Sequence, residues 1–283
     1  MATKRYAVIG HPIGHTMSPF IHKRLFSLGG IDAEYGVYDV PPEKMDEMFK
    51  NELSKLNGFN ITIPHKQRII PYIHHLDEKA KLYGSVNTFF NDDGVYKGYT
   101  TDPDGFLLAL KSAGVPYSGR TVILGCGGVA RTMAYEAVLA ENDLTLAVRE
   151  DDLPVATELK KELENLNILK SKADVKVCQI KDLQGDIDIL VNATPVGMFP
   201  KTQFCPVSDE VISHSKAVFD AIYNPLETML IKKAKANGSK AVGGMSMLVW
   251  QAAVAQTKWN DVKFNKEDID KLCLECIEEL KSR

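Results

Sequence analysis

Cysteine is sparse and odd in number, five in 283 residues. That excludes a small disulfide-built fold and fits reduced thiols in a cytoplasmic protein. Cys273 and Cys276 form a lone C-x-x-C in an amphipathic, helical stretch. Neither a second pair nor histidines lie near it, so no metal site is expected there. No apolar run reaches the length that spans a bilayer. The opening Met1-Ala2-Thr3-Lys4-Arg5-Tyr6 runs straight into a strand, without the apolar stretch of a secretion signal. Neither sign of charge dominates: 34 Lys and Arg against 37 Asp and Glu leave −3. Nucleic acid and membrane surfaces are therefore not expected partners, and no DNA-binding motif or basic patch is seen. Internal repeats and low-complexity tracts are missing as well.

What remains is ordinary globular material, 45% hydrophobic and 25% charged, able to bury a full core. The length suggests two domains. Strands and helices alternate, which indicates an α/β fold. Tyr6-Ala7-Val8-Ile9-Gly10 reads as a strand, and Ser18 as the N-cap of a helix with Pro19 at its first position. A strand is expected over 33–40, a helix over 43–53, a strand around Asn60 and Thr62, and helices over 66–76 and 77–83. Segments 84–90 and 95–100 read as a hairpin turning at Asn91-Asp92-Asp93-Gly94.

Chemistry gathers at strand ends. Asn60-Ile61-Thr62-Ile63-Pro64-His65-Lys66 puts an amide, a hydroxyl and an amine in one short segment, with the lysine just past a strand. Asp102 occupies the same kind of position after the hairpin. Thr16 and Ser18 stand before a helix N-terminus, where backbone N–H groups and the helix dipole favour an anion such as a carboxylate. His11, His15 and His22 lack acidic or cysteine companions, so they read as surface or supporting residues rather than metal ligands. Gln251 sits among apolar neighbours in a helix, where a buried amide needs partners and a ligand contact would supply one.

A second unit opens near Gly119. The strand Thr121-Val122-Ile123-Leu124 runs into Gly125-Cys126-Gly127-Gly128-Val129-Ala130, a G-x-G-G-x-A loop that starts a helix. Strand, glycine loop and helix in that order are the dinucleotide-binding context: the backbone turns tightly and approaches a pyrophosphate at the helix N-terminus. The next strand ends in Arg149-Glu150-Asp151-Asp152, where such a domain meets the adenosine ribose. Three carboxylates beside one arginine favour a free 2′-hydroxyl, hence NAD over NADP. The alternative leaves the carboxylates in solvent and gives a phosphate to Arg149 alone. The loop from Ala193 through Thr194 to Met198 follows another strand and could cover a nicotinamide.

These segments, in order and over essentially the whole chain, resemble the shikimate dehydrogenase family, including its quinate/shikimate members. The carriers are 10–19, the lysine segment 60–66, Gly84-Ser85-Val86-Asn87-Thr88, Thr101-Asp102, 192–198, Tyr223-Asn224-Pro225-Leu226-Glu227-Thr228 and 244–251. The resemblance implies two α/β domains separated by a cleft. Residues 1–102 with 245–283 would bind substrate, and 103–244 would form a Rossmann domain. It implies reversible hydride transfer between 3-dehydroshikimate and shikimate, with NAD or NADP. Lys66 and Asp102 would be the proton-transfer pair, Thr16 and Ser18 would hold the substrate carboxylate, and Thr62, Asn87 and Gln251 its ring hydroxyls. Cofactor contacts fall to Gly125, Gly127, Gly128, Val129, Ala130, Arg149, Thr194, Ala221, Tyr223 and Gly244.

The chain departs from the family pattern at Thr16, usually serine, at Thr100, usually asparagine, and at 148–151, where NADP-using members carry Asn-Arg-Thr. NAD-linked quinate oxidation is thus the alternative activity. A binding-only regulator is the reading of another class, and the retained Lys66 and Asp102 argue against it. A homodimer is allowed but not indicated.

Overall fold

The computed structural model describes residues 3–14, 16–166 and 173–282. The chain forms two compact units, Met1–Gly105 with Val249–Arg283, and Phe106–Leu248. Both junctions fall inside helices, and the boundaries the resemblance implies, after 102 and after 244, stand a few residues earlier than these.

The first unit runs β1 (Lys4–Gly10), α1 (Ser18–Leu28), β2 (Ala33–Asp39), α2 (Met45–Asn51), β3 (Gly58–Ile61), β4 (His75–Leu76), α3 (Glu78–Tyr83), β5 (Thr88–Asp92) and β6 (Val95–Tyr99). Its sheet has the order β2-β1-β3-β5-β6-β4. β1 lies parallel to β2 and β3, while β5 runs antiparallel to both β3 and β6. The expected hairpin is β5–β6, and its turn places Asp93 and Gly94 at φ of 48° and 88°, the backbone that lets a two-residue turn match strand twist. One face of the sheet buries Phe59 stacked on Phe89 at 4.3 Å with Phe49 edge-on to Phe89. Each buried phenyl ring contributes about 2–3 kcal/mol of transfer free energy. The other face carries Tyr6, Phe26 and Trp259, and the Trp259 indole N–H donates to the Phe89 carbonyl at 2.8 Å.

Three sequence expectations need correction here. Segment 66–76 is not a helix: it holds turns, one short helical turn at Ile70–Tyr72 and the two-residue β4. Pro71 cannot donate an amide to a helix ladder, and its ring would strike the carbonyl four residues back. The helix expected over 43–53 is regular only at Met45–Asn51. Finally, α1 begins at Ser18, with Met17 in the cap position and no side-chain cap, so the Ser18 hydroxyl is not spent on capping.

The second unit is a parallel sheet. After α4 (Asp102–Ser112), which starts in the first unit, come β7 (Arg120–Leu124), α5 (Gly128–Leu139), β8 (Asp143–Val148), α6 (Leu153–Glu164), β9 (Val175–Gln179), β10 (Ile187–Asn192), α7 (Asp209–Ser213), β11 (Ser215–Asp220), α8 (Met229–Ala236) and β12 (Lys240–Gly243). α9 (Gly244–Asn260) leads back to the first unit, and α10 (Lys266–Ser282) follows. The strand order β12-β11-β10-β7-β8-β9, all parallel, reverses direction between β7 and β10. Ligands of doubly wound sheets bind at the carboxyl ends of strands at such a reversal.

Candidate active site

In the first unit Lys66 follows β3 in a turn pinned by the Val86 N–H, which donates to the Lys66 carbonyl at 2.8 Å. Its amine donates to Asp102 Oδ2 at 2.6 Å, with the two side chains 28% and 20% exposed. The other carboxylate oxygen accepts from Asn87 Nδ2 at 2.8 Å. Asn87 is itself buried; its Oδ1 accepts from the Thr101 N–H at 2.8 Å and the Thr88 hydroxyl at 3.0 Å. The Thr101 hydroxyl lies 3.4 Å from Gln251 Oε1 on α9. A fixed carboxylate thus presents an amine at the surface of a buried polar network, an arrangement suited to passing a proton.

A second branch of that network leads to the N-terminal loop. Asn60 Nδ2 lies 3.3 Å from the Thr88 hydroxyl, and Asn60 Oδ1 accepts from the Tyr35 hydroxyl at 2.7 Å. Burial pushes the Tyr35 phenol well up, partly offset by its hydrogen bond to Ser18. The Ser18 N–H donates to Thr16 Oγ1 at 3.2 Å, so the two hydroxyls expected to hold a carboxylate stand side by side. Thr62 joins the end of β1, its N–H donating to the Ile9 carbonyl at 2.9 Å.

The histidines have structural duties. His11 pairs with Asp39 at 2.8 Å, and His65 Nε2 donates to the Val40 carbonyl at 2.6 Å. No metal-binding cluster occurs among the described residues; His15 lies outside them. Cys273 and Cys276 are unpaired, and burial pushes both thiols up to about 12. His22 stacks on Tyr35 at 4.3 Å and accepts from the Gln256 amide at 2.8 Å.

Burial pushes the His22 imidazole down to about 3, whereas an unfolded histidine titrates near ~6.5. Between those values the unfolded chain binds the extra proton. The His22 contribution to stability is therefore complete above about pH 6.5 and is lost on acidification at about 1.4 kcal/mol per pH unit. Thermal unfolding of His22→Gln beside the wild type, from neutral pH to about 4, should show a shallower loss in the variant. Identical pH slopes would contradict this.

In the second unit β7 delivers Gly125, whose N–H donates to the Ala147 carbonyl at 2.9 Å. Its φ is +99°, and a Cβ there would lie 3.1 Å from Thr194 Cγ2, so glycine is needed both for the turn and for the approach of the β10 loop. Gly127 caps α5 and Gly128 begins it. No atom lies within 4 Å of where a Cβ would sit on either, leaving the backbone N–H groups of the helix open to a pyrophosphate. Val129 is partly exposed, and Ala130 is buried against the sheet. Arg149 closes β8, and its Nε and Nη2 both lie 2.9 Å from Asp152 Oδ2.

The remaining expected cofactor residues gather at the ends of β10, β11 and β12. The Thr194 hydroxyl donates to Asn192 Oδ1 at 2.6 Å, and the Ala221 N–H donates to the Asn192 carbonyl at 2.9 Å. Gly244 N–H donates to the Ile222 carbonyl at 3.2 Å, one residue before Tyr223. Beneath them the buried Asp220 accepts from Asn192 Nδ2, Thr228 Oγ1 and the Ile222 N–H, and burial raises its carboxyl. Sequence reading missed Asn192, Asp220 and Thr228 as a supporting group, and also Tyr35. The available signal was a polar residue closing each of two strands after an apolar run, Ile189–Val191 in β10 and Ala217–Phe219 in β11.

Known proteins are similar to this chain over most of its length. The family described as the shikimate dehydrogenase substrate binding domain matches residues 8–89. A shikimate dehydrogenase (NADP+) from Methanocaldococcus jannaschii is 39% identical over 270 residues, 94% of each chain. A Thermus thermophilus shikimate 5-dehydrogenase solved with NADP(H) and shikimate is 28% identical with a TM-score of 0.85, covering 96% of this chain and 99% of that one. The Listeria monocytogenes enzyme, solved with shikimate and NAD, is also 28% identical with a TM-score of 0.85, over 95% and 96%.

Proposed function

The chain belongs to the shikimate dehydrogenase family, and from that premise we infer that it interconverts shikimate and 3-dehydroshikimate with a nicotinamide dinucleotide. It is an oxidoreductase acting on a ring CH–OH group. The observation that carries the reading is the Lys66–Asp102 pair at 2.6 Å with its carboxylate held by Asn87. The first unit binds substrate in this reading, and the second holds the dinucleotide on the glycine loop.

A nicotinamide held on the glycine loop would supply the chemistry of accepting a hydride from the ring carbon or returning one. Neutral Lys66 takes the proton of the hydroxyl being oxidised, and its charged form gives a proton to the ketone oxygen in the reverse direction. Asp102 orients the amine and stabilises its charged form. Thr16 and Ser18 hold the substrate carboxylate beside the start of α1, where the backbone favours an anion. Thr62 and Gln251 hold ring hydroxyls. Asn87, expected to hold a ring hydroxyl, instead fixes Asp102, because its amide hydrogens are directed at Asp102 and Thr101. Quinate oxidation with NAD is not favoured, since the relatives compared above carry the shikimate name. Reduced thiols, all five cysteines being unpaired, support a cytoplasmic setting. No helix of the described residues is long and apolar enough to cross a membrane.

Initial rates of nicotinamide reduction with shikimate and with quinate, each with NAD and NADP, test the reading. Shikimate is expected to be the better substrate by about tenfold or more, the discrimination a site built around specific hydroxyls provides. A preference for quinate would overturn it.

A further inference from the structure

We propose that Lys181 supplies the cationic contact by which this chain recognises a dinucleotide bearing a 2′-phosphate, acting beside Arg149 from the neighbouring strand end. The proposal rests on the dinucleotide reading above.

Along the sequence, the only basic residue directly after β8 is Arg149, and it is followed by three carboxylates. In the structure its guanidinium is also engaged, two of its nitrogens lying 2.9 Å from Asp152 Oδ2. A phosphate relying on Arg149 alone would have to compete with that carboxylate. The sheet supplies what the local sequence lacks. β9 pairs in parallel with β8, Val148 opposite Gln179, so the two strands end level. Arg149 and Lys181, which follow them, line one cavity of about 810 Å³.

Lys181 is exposed and has no ion pair or hydrogen bond among the described residues. The neighbouring lysines are neutralised locally: Lys160 by Glu164, Lys161 by Glu158 and Lys176 by Asp174. A doubly charged phosphate near the end of β8 would therefore find in Lys181 a cation with no competing carboxylate in contact. Glu210 also lines the cavity, so the field there is not uniformly positive.

The cavity has a topological cause. The link from β9 to β10 contains one short helical turn, Ile180–Asp182, in place of a crossover helix. Leu183, Ile187, Val207 and Val211, core residues only 1–8% exposed, edge the cavity there. The ribose and 2′-phosphate would lie at the charged mouth that Arg149 and Lys181 line. A 2′-phosphate also gives Lys181 something to hold that an unphosphorylated ribose does not.

Calorimetric titration of the full chain with adenosine 2′,5′-bisphosphate and with AMP tests this without using turnover. The wild type should bind the bisphosphate more tightly. Lys181→Ala should reduce that preference about tenfold, the scale of one charge-assisted contact, while AMP affinity stays within about twofold. Lys181→Arg should restore the preference, and Asp152→Asn should raise it by releasing Arg149. Equal losses for both nucleotides in Lys181→Ala, no loss for either, or a wild-type preference for AMP would overturn the proposal. Binding of neither nucleotide by the wild type would overturn the dinucleotide reading beneath it, and the proposal with it.

Discussion

Replacing Lys66 by alanine is expected to lower kcat by about 10²–10⁴-fold, the range associated with a positioned acid–base group, while shikimate affinity changes little. The turn that carries Lys66 is held through its own carbonyl by the Val86 N–H, and alanine keeps that bond. The fold should therefore survive, and Asp102 keeps its Asn87 contact. What disappears is the one amine on the carboxylate. Lys66→Arg separates proton transfer from charge alone. It preserves the positive charge beside Asp102, but a guanidinium does not deprotonate at working pH. Both variants should fail together. Turnover rescued by arginine would mean that Lys66 acts only as a fixed charge, and near-normal turnover in the alanine variant would remove it from the mechanism.

The second large effect is expected at Gly244→Ala. A Cβ on Gly244 would lie 2.3 Å from the Ala221 carbonyl oxygen and 2.9 Å from the Ile222 carbonyl carbon. These are backbone atoms and cannot rotate away. The junction of β12 and α9 must then lift from the end of β11, breaking the Gly244 N–H bond to Ile222. Overpacking of this kind costs about 1–3 kcal/mol. The loops carrying Ala221 and Tyr223 move with it, and a misplacement of about 1 Å costs on the order of 10²-fold in turnover. Urea unfolding and nucleotide titration of the purified variant check both parts. Wild-type stability together with wild-type nucleotide affinity would contradict the packing described here.

How much of this could be read from the chain depends on range. Lys66 and Asp102 were legible because each lies within a few residues of a strand end, and in the structure they lie 2.6 Å apart. The glycine loop was legible because strand, loop and helix are contiguous. The hairpin was legible from Asp93-Gly94. The expected helix over 66–76 fails because Pro71 can donate no amide to a helix ladder. Partners across strands left no local trace. Tyr35 meets Asn60 from β2, and Asp220 on β11 supports Asn192 on β10. Lys181 is the same case: only the pairing of β8 with β9 brings it beside Arg149.

The most direct test of the account is to incubate the purified chain with shikimate and oxidised nicotinamide dinucleotide, then follow substrate, product and coenzyme together. The wild type should form 3-dehydroshikimate and reduced nicotinamide in equal amounts, and Lys66→Ala should form both at least about 10²-fold more slowly. Shikimate left unconsumed by a folded wild-type protein with both NAD and NADP would contradict it.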